Sequence, residues 1–357
     1  MIKIFTAALL FLCVAVSAQQ PLHVGVAGLN HDHVYGLMES YKKGKVFILG
    51  IAESDTQLVR KYRQRYNLPD SLFYGSVAMM LEHIKPDVVL AYNPISEHLA
   101  VVEACAPKGI SVMVEKPLAT TVKQADRMLA LVKQYHIQLL TNYETTWYAS
   151  NQQAYEIAHE QGTIGQIRKM VAHDGHEGPK EIGCSPDFLK WLTDPEKNGG
   201  GAVVDFGCYG ANLMTWLMSG KAPIAVTAVL RHYKPDVYPK VDDDATILLE
   251  YPAATGLIEG SWNWPYSIKD LEVFGATGYL HALNGNSLQQ RLRSGRNYDQ
   301  IELKAPAYTD NLTYLAAVLR GEIHPGNDLS SLENNLIVVK ILEAARQSAR
   351  EGKRIVL

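Results

Sequence analysis

The sequence predicts an α/β chain, with an amino-terminal doubly wound parallel sheet followed by an α+β domain that carries an open, largely antiparallel sheet. Three observations lead there. Over residues 22–141, short apolar runs alternate with helical stretches, an order that right-handed crossovers turn into a parallel sheet. From Asn142 onward, short runs of alternating polarity follow one another between turn signals, as in an antiparallel sheet. Third, the apolar run at residues 112–114 suits a buried strand and ends in Glu115-Lys116-Pro117. Proline has no N–H and stops the ladder, so a lysine stands at the carboxyl end of a strand, the edge where open α/β sheets bind ligands.

Length and charge set the frame. The 357 residues suit two domains, and a hydrophobic content of 47% is enough to bury two cores. Lys plus Arg total 34 against 37 Asp plus Glu, a net charge of −3. This gives no basic footprint for nucleic acid and no polybasic membrane anchor, so a small molecule is the expected partner. Residues 1–18 read as a Sec-type signal peptide: Lys3 is the positive end, residues 4–16 form an apolar run too short to span a bilayer, and Val16-Ser17-Ala18 has the small-residue cleavage form. There is no twin arginine, and Leu12 before Cys13 makes a poor lipobox, so the expectation is a soluble exported protein, periplasmic or secreted. Cys105, Cys184 and Cys208 of the mature chain are irregularly spaced and form neither a disulfide framework nor a CxxC metal site.

The first domain is expected over residues 19–142. Its first strand runs into Gly28, and a helix follows over residues 30–41. A dinucleotide fold carries GxGxxG at this turn, whereas this chain reads Gly28-Leu29-Asn30-His31-Asp32-His33 and then Gly36. Gly28, Asn30 and His31 are therefore candidates for cofactor contact at a helix start whose N–H groups face a pyrophosphate. The next strand, at residues 46–52, ends on Glu53, placed to bind the 2′-hydroxyl of an NAD ribose and to repel the 2′-phosphate of NADP. Helices at 56–66 and 77–83, with strands at 73–74 and 87–90, continue the alternation. The loop Tyr92 to His98 follows, with Asn93, Pro94 and His98 as cofactor candidates, His98 reading equally well as a capping or core residue. The strand carrying Glu115 and Lys116, a helix at 122–135 and a strand at 137–141 complete the unit.

The second domain is expected over residues 143–357, with a helix at 155–161 and strands at 167–172, 224–232, 246–251, 255–262 and 271–275. A long amphipathic helix at 332–350 closes the chain and is free to pack back on the first domain. The glycine run Gly199-Gly200-Gly201 enters a helix on which Asp205 and Tyr209, four apart, share a face. A phenol works as acid or base when a nearby ammonium favours phenolate, and read alone the same pair is a cap and a packing residue. His173-Asp174-Gly175-His176-Glu177 resembles a ligand cluster, but its glycines and the following Pro179 suggest a loop over a pocket, so no metal is expected and His176 is taken as a substrate contact. Trp262, Trp264 and Tyr266, near Lys269, suit either stacking on a sugar ring or sheet packing.

Together, Glu115-Lys116-Pro117, the glycine run before Asp205 and Tyr209, and the segment from Trp264-Pro265 through Lys269-Asp270 to Gly275 resemble the Gfo/Idh/MocA oxidoreductases, in the exported sugar-active branch similar to glucose-fructose oxidoreductase and dihydrodiol dehydrogenase. The resemblance covers nearly the whole mature chain. It implies an amino-terminal Rossmann domain, a carboxy-terminal open sheet that often forms a homo-oligomer interface, and hydride transfer between nicotinamide and a sugar or polyol. By position, Lys116 matches the catalytic lysine, Asp205 the substrate-side acid, and Tyr209 stands where many members have histidine. Glu115 and Lys116 join the cofactor candidates, and Trp264 and Lys269 the substrate contacts. The expected function is an NAD-dependent sugar or polyol dehydrogenase in which Lys116 and Tyr209 handle the proton. Because free NAD is scarce outside the cytoplasm, export calls for tightly held, internally recycled cofactor. The alternative is an NAD-dependent glycoside hydrolase acting by transient oxidation and elimination, with His176 as its extra base. A carbohydrate-binding module with a dead site is disfavoured by retention of both Lys116 and Tyr209.

Overall fold

The computed structural model describes residues 21–357, so the signal peptide expected at residues 1–18 lies outside the described residues. The first domain runs β1 (Leu22–Ala27), α1 (Val34–Lys42), β2 (Val46–Ala52), α2 (Thr56–Tyr66), β3 (Phe73–Tyr74), α3 (Val77–His83), β4 (Val88–Ala91), α4 (His98–Cys105), β5 (Ser111–Glu115), α5 (Val122–Tyr135) and β6 (Leu139–Asn142). Its six strands are parallel in the order β3-β2-β1-β4-β5-β6, so the direction in which strands are added reverses between β1 and β4, where ligands of such sheets bind. The sequence signals that set these elements are local. Asp55, Ser76 and Thr121 each cap the helix that follows, and α2 and α5 end on Asn67 and His136 in the left-handed conformation.

The second domain continues with α6 (Ala149–Tyr155), β7 (Ile167–Gly175), α7 (Pro186–Leu192), α8 (Pro195–Asn198), α9 (Ala202–Asp205), α10 (Gly207–Leu217), β8 (Ala225–Arg231), β9 (Asp244–Glu250), β10 (Thr255–Ser261), β11 (Ile268–Gly275), β12 (Gly278–Asn284), β13 (Ser287–Leu292), β14 (Asp299–Ile301), α11 (Asn311–Leu319), α12 (Leu332–Glu351) and β15 (Ile355–Val356). Its nine strands run in the order β14-β13-β12-β11-β7-β10-β9-β8-β15. Only the β7–β10 contact is parallel; the other ladders are antiparallel. One face of this sheet is covered by α10, every residue of which is buried.

The structure departs from the sequence reading at several elements, with α7, α8 and β15 unread and the helix expected at 155–161 found as α6, which starts at Ala149, and three further departures matter most. The expected single helix bearing Asp205 and Tyr209 is broken at Phe206 into α9 and α10. Asp242 accounts for the tight entry: its carboxylate accepts the N–H groups of Gly201 (2.9 Å) and Val203 (2.7 Å), and its carbonyl accepts that of Ala202 (3.0 Å). A Cβ on Gly201 would lie 1.7 Å from the Asp242 carbonyl oxygen, so only glycine fits. Second, β12, β13 and β14 were not anticipated, because runs such as Ser287-Leu288-Gln289-Gln290-Arg291 carry too little apolar alternation to announce a half-buried strand. Third, α11 was missed and packs in the first domain's core, where Tyr314, Leu315 and Val318 meet Val24, Met38 and Leu90. The helix α12 also returns there: Leu332 and Val339 join the first domain's other core, while Val338, Ile341 and Leu342 join that of the second. Arg346 on α12 ties the two together, donating to the carbonyls of Thr120 (2.7 Å) and Gly199.

The alternation of β7 disperses the group His173 to Glu177. Asp174 faces inward and is buried, while His173 faces the open side, where its Nδ1 bonds Asp270 at 2.6 Å; His281 Nε2 takes the other Asp270 oxygen at 2.9 Å. Burial works to raise the Asp270 pKa, but the two histidines outweigh it and hold the carboxyl at about 2. A carboxyl whose folded pKa is depressed stabilises the fold above its unfolded value and loses that contribution as pH falls through the folded one. Stability should therefore decline between about pH 4 and 2, and Asp270→Asn should flatten that decline in urea melts taken across the window. A profile unchanged by the substitution would remove Asp270 from the account.

Candidate functional site

At the reversal between β1 and β4 lies a cavity of about 730 Å³, bounded by Gly28, Asn30, Glu53, Asn93, Pro94 and Trp191 among others. Gly28 has φ +82°, and a Cβ there would lie 2.7–2.8 Å from the Cβ and backbone of Asn93, so glycine is what lets the β1–α1 turn close against the loop after β4. Glu53 ends β2 as expected. One carboxylate oxygen accepts the Leu29 N–H (2.9 Å) and the other the Asp55 N–H (2.8 Å), which leaves lone pairs on both. Burial raises its pKa against the pull of those two N–H groups. A long cleft at the switch point, a turn that admits no Cβ and an acid at the second strand's end fit an adenine dinucleotide.

Three candidates for cofactor contact stand behind this wall. His31 donates its backbone N–H to the Tyr92 carbonyl (3.1 Å), and its ring packs on Phe188 (4.6 Å between centroids) and Trp191 (5.6 Å). Its contribution is therefore to seat α7 against the turn, because a buried imidazole among aromatic rings does not reach the cleft. His98 is buried, donates Nδ1–H to the Leu118 carbonyl (3.1 Å), and is pushed down by burial to about 4, so it is a neutral core residue. Glu115 turns away from the cleft, into a separate network with His33 and Asn142.

Lys116 centres the second group. The Lys116–Pro117 peptide is cis, and the lysine's ammonium lies 2.5 Å from Asp205 Oδ1 and 3.0 Å from the Asp205 carbonyl. Asp205 Oδ2 accepts the indole N–H of Trp262 at 3.0 Å. Burial opposes both charges, and each outweighs it in the other: the pKa of Lys116 is raised and that of Asp205 lowered, so the pair is ionised. The Tyr209 ring lies below two ammonium groups, 5.0 Å from Lys116 Nζ and 4.5 Å from Lys269 Nζ, and Lys269 is paired with Glu144. These cations sit over the ring face, and burial prevails over them, so the Tyr209 pKa is well above the ordinary value. The condition that a nearby ammonium favours phenolate is thus not met, and Tyr209 is a protonated phenol.

His176 lies edge-on to Phe206 (4.9 Å), and its Nδ1 accepts the Gly178 N–H at 2.8 Å. In the neutral ring this places the proton on Nε2, so His176 is a donor and does not serve as the extra base of an elimination. Burial lowers its pKa, which keeps that neutral form. The aromatic group is divided: Trp262 is fully buried and serves Asp205, Trp264 covers Gly175, whose Cβ would lie 2.7 Å from the indole, and Tyr266 is exposed. Trp262 was read for stacking or sheet packing alike, and its indole N–H gave no sequence signal that it would hold Asp205. Asp242 and the inward Asp174 were also missed, because a clamp or a buried acid is visible only once strands are paired. Burial pushes the Asp174 carboxyl well above its usual range.

A third network opens on a neighbouring cavity of about 500 Å³, bounded by His33, Glu115, Asn142, Glu144 and Trp147 among others. His33 Nδ1 lies 2.8 Å from Glu115 Oε2, Asn142 donates to Oε1 at 2.9 Å, and the Trp147 indole donates to Asn142 at 3.2 Å. His31, His33 and Glu115 bring one ligating atom each within 4.8 Å of the others. Hydrogen bonds occupy that geometry: His31 Nδ1 accepts the His33 N–H at 3.1 Å, and His33 Nδ1 is spent on Glu115.

Comparison with known proteins agrees with this architecture. Residues 22–143 match the model of an oxidoreductase family with an NAD-binding Rossmann fold, and residues 151–281 match the GFO/IDH/MocA C-terminal domain. Human trans-1,2-dihydrobenzene-1,2-diol dehydrogenase is 22% identical over 260 residues, 72% of each chain. Among solved structures, aldose-aldose oxidoreductase from Caulobacter crescentus, complexed with glycerol, superposes with a TM-score of 0.77 at 23% identity, covering 94% of this chain and 100% of the other. An inositol dehydrogenase homolog from Azotobacter vinelandii, complexed with NAD+, gives 0.80 at 18%, covering 95% and 98%.

Proposed function

The chain belongs to the Gfo/Idh/MocA family of NAD-binding oxidoreductases, and on that premise we propose that it is a dehydrogenase of a secondary alcohol on a sugar or glycoside. The relatives named above, for a dihydrodiol, an aldose and an inositol, support a polyhydroxylated substrate. The observation that carries the reading is the buried Lys116–Asp205 pair beside Tyr209. Gly28, Asn30, Glu53, Asn93 and Pro94 would hold the dinucleotide, which supplies a nicotinamide able to accept or donate hydride. Lys116 and Tyr209 both hold protons at rest, so they are two donors suited to one substrate oxygen. In reduction one of them gives its proton to the carbonyl oxygen and is left deprotonated, and oxidation runs the same step backwards, that deprotonated group taking the proton of the hydroxyl. Asp205 fixes the ammonium in place and keeps it charged inside the fold. The test is reduction of keto-sugars and oxidation of the matching alcohols, followed by nicotinamide absorbance. Release of aglycone with no keto product would sink the dehydrogenase in favour of the hydrolase.

Glu53 underlies a second expectation, NAD bound more tightly than NADP by at least about tenfold, since a carboxylate at the adenosine ribose repels a 2′-phosphate. Glu53→Gln should narrow that ratio in fluorescence titrations. Tighter binding of NADP by the unsubstituted protein would refute the placement. Export and tight retention of NAD are part of the same proposal, and mass spectrometry of protein recovered from its native compartment would reveal copurified dinucleotide.

A further inference from the structure

Lys234 lies outside the group around Lys116, yet it holds two parts of that group in place. Its ammonium donates to the carbonyls of Glu177 (2.5 Å) and Trp262 (2.6 Å) and to the Glu181 carboxylate (2.6 Å). An ammonium has three N–H groups, so every one of them is used. It also rests over the Tyr238 ring, 5.3 Å from the centroid, and the Tyr238 hydroxyl donates to the other Glu181 oxygen. One side chain thus joins the loop after β7, the chain leaving β10 and its own loop after β8. Its backbone is fixed from the far side by Asp243, which is fully buried and accepts the N–H groups of Tyr233 (2.8 Å) and Lys234 (2.6 Å) on its carboxylate.

Trp262 is gripped at both backbone groups. Its N–H donates to the Asp243 carbonyl at 2.8 Å, its carbonyl accepts from Lys234, and its indole is left to donate to Asp205. His176 is tied in a similar way: its N–H donates to the Ser261 carbonyl (3.0 Å), and the carbonyl of the next residue is the one that Lys234 takes. An exposed pair of Lys234 with Glu181 alone would be worth little. What separates this lysine from such a pair is that its other two bonds go to backbone at Trp262 and beside His176.

We infer that Lys234 is a positioning residue for proton transfer: it fixes the Trp262 backbone, Trp262 fixes Asp205, and Asp205 aims the Lys116 ammonium at the substrate oxygen. The same ammonium steadies the loop that presents the His176 N–H. This rests on the dehydrogenase reading in that Lys116 is the proton donor. Catalytic groups are held to their geometry by just such a supporting layer, and a misplacement of about 1 Å costs roughly a hundredfold in rate.

The test uses the full mature chain with NADH and methyl glucosides bearing a ketone at ring carbon 2, 3 or 4. Lys234→Met should lower kcat by roughly tenfold or more while KM for NADH stays within about twofold. Lys234→Arg keeps the charge and the pair with Glu181, but its planar fork cannot send three bonds from one atom. It should therefore lose rate as well, and it serves if the methionine variant fails to fold, which NADH titration reports. Lys234→Cys alkylated with bromoethylamine, which rebuilds an ammonium at the same reach, should recover much of the rate, with wild type treated alike for comparison. Lys304→Met, which removes an exposed pair with Glu156, should leave kcat within about twofold. A second readout needs no turnover: the Trp262 indole N–H proton resonance, assigned by its absence in Trp262→Phe, should move upfield in Lys234→Met and Lys234→Arg as the bond to Asp205 loosens. An unmoved indole signal, or kcat within about twofold of wild type in both variants, overturns the proposal. If wild type reduces none of the probes, the dehydrogenase reading falls, and the indole signal still decides whether Lys234 places Trp262.

Discussion

Replacing Lys116 with methionine is expected to lower turnover by about a thousandfold or more while leaving NAD affinity within a few-fold of wild type. The first part follows from the loss of a proton donor in a site where positioned proton transfer contributes roughly 10²–10⁴. The second follows because Lys116 is directed at Asp205 and Tyr209, away from the Gly28–Asn93 cleft. Stability should suffer as well. The methionine leaves Asp205 buried with only the Trp262 indole as a side-chain partner, and an orphaned buried charge costs about 3–5 kcal/mol. The double change Lys116→Met/Asp205→Asn should regain much of that stability and none of the turnover, since an amide keeps the bond to Trp262 and needs no cation. Urea midpoints and steady-state rates on the three variants decide it. Activity within a few-fold of wild type in the single variant would take Lys116 out of the mechanism.

The second large effect is at Gly201. An alanine Cβ would sit 1.7 Å from the Asp242 carbonyl oxygen, a contact with backbone that a rotamer change cannot relieve. The clamp of Asp242 on residues 201–203 has to open, at a cost of about 3 kcal/mol. Asp205 lies one turn on and holds Lys116, so the displacement reaches the site, where a shift of about 1 Å is enough to cost roughly a hundredfold in rate. Gly36→Ala is the control: it lies in α1 with open space around it, and there alanine should be neutral or stabilising by up to about 1 kcal/mol. If Gly201→Ala melts like wild type, the clamp does not set the entry to α9.

The first domain was legible because its signals are local. Caps at Asp55 and Thr121, apolar runs of strand length and the stop at Pro117 fix elements without knowledge of their neighbours, and α2 and α5 have the bounds read from sequence. Lys116, Asp205 and Tyr209 were legible as a group only through the family resemblance, and the structure brings them together. What the sequence could not convey is direction. His31 and Glu115 stand at the turn and strand end where a cofactor contact was expected, yet their side chains point into other networks, and the protonation of Tyr209 depends on burial that arises from the packing of α10. The helix α11 was hidden for a related reason: Asn311 to Leu319 is apolar on nearly every side, as suits a helix enclosed in a core, so it has no amphipathic stripe to read.

That same helix sets the order in which the chain can become a protein. The first domain's sheet is complete at residue 142, but its cores wait for Tyr314, Leu315 and Val318 from α11 and for Leu332 and Val339 from α12. On the ribosome, those side chains emerge after nearly nine-tenths of the polypeptide has been made. Until then the nascent amino-terminal sheet has exposed apolar surface on both faces, and the dinucleotide cleft at its edge is carried by an unfinished scaffold. Maturation of the cofactor site is therefore a late, whole-chain event.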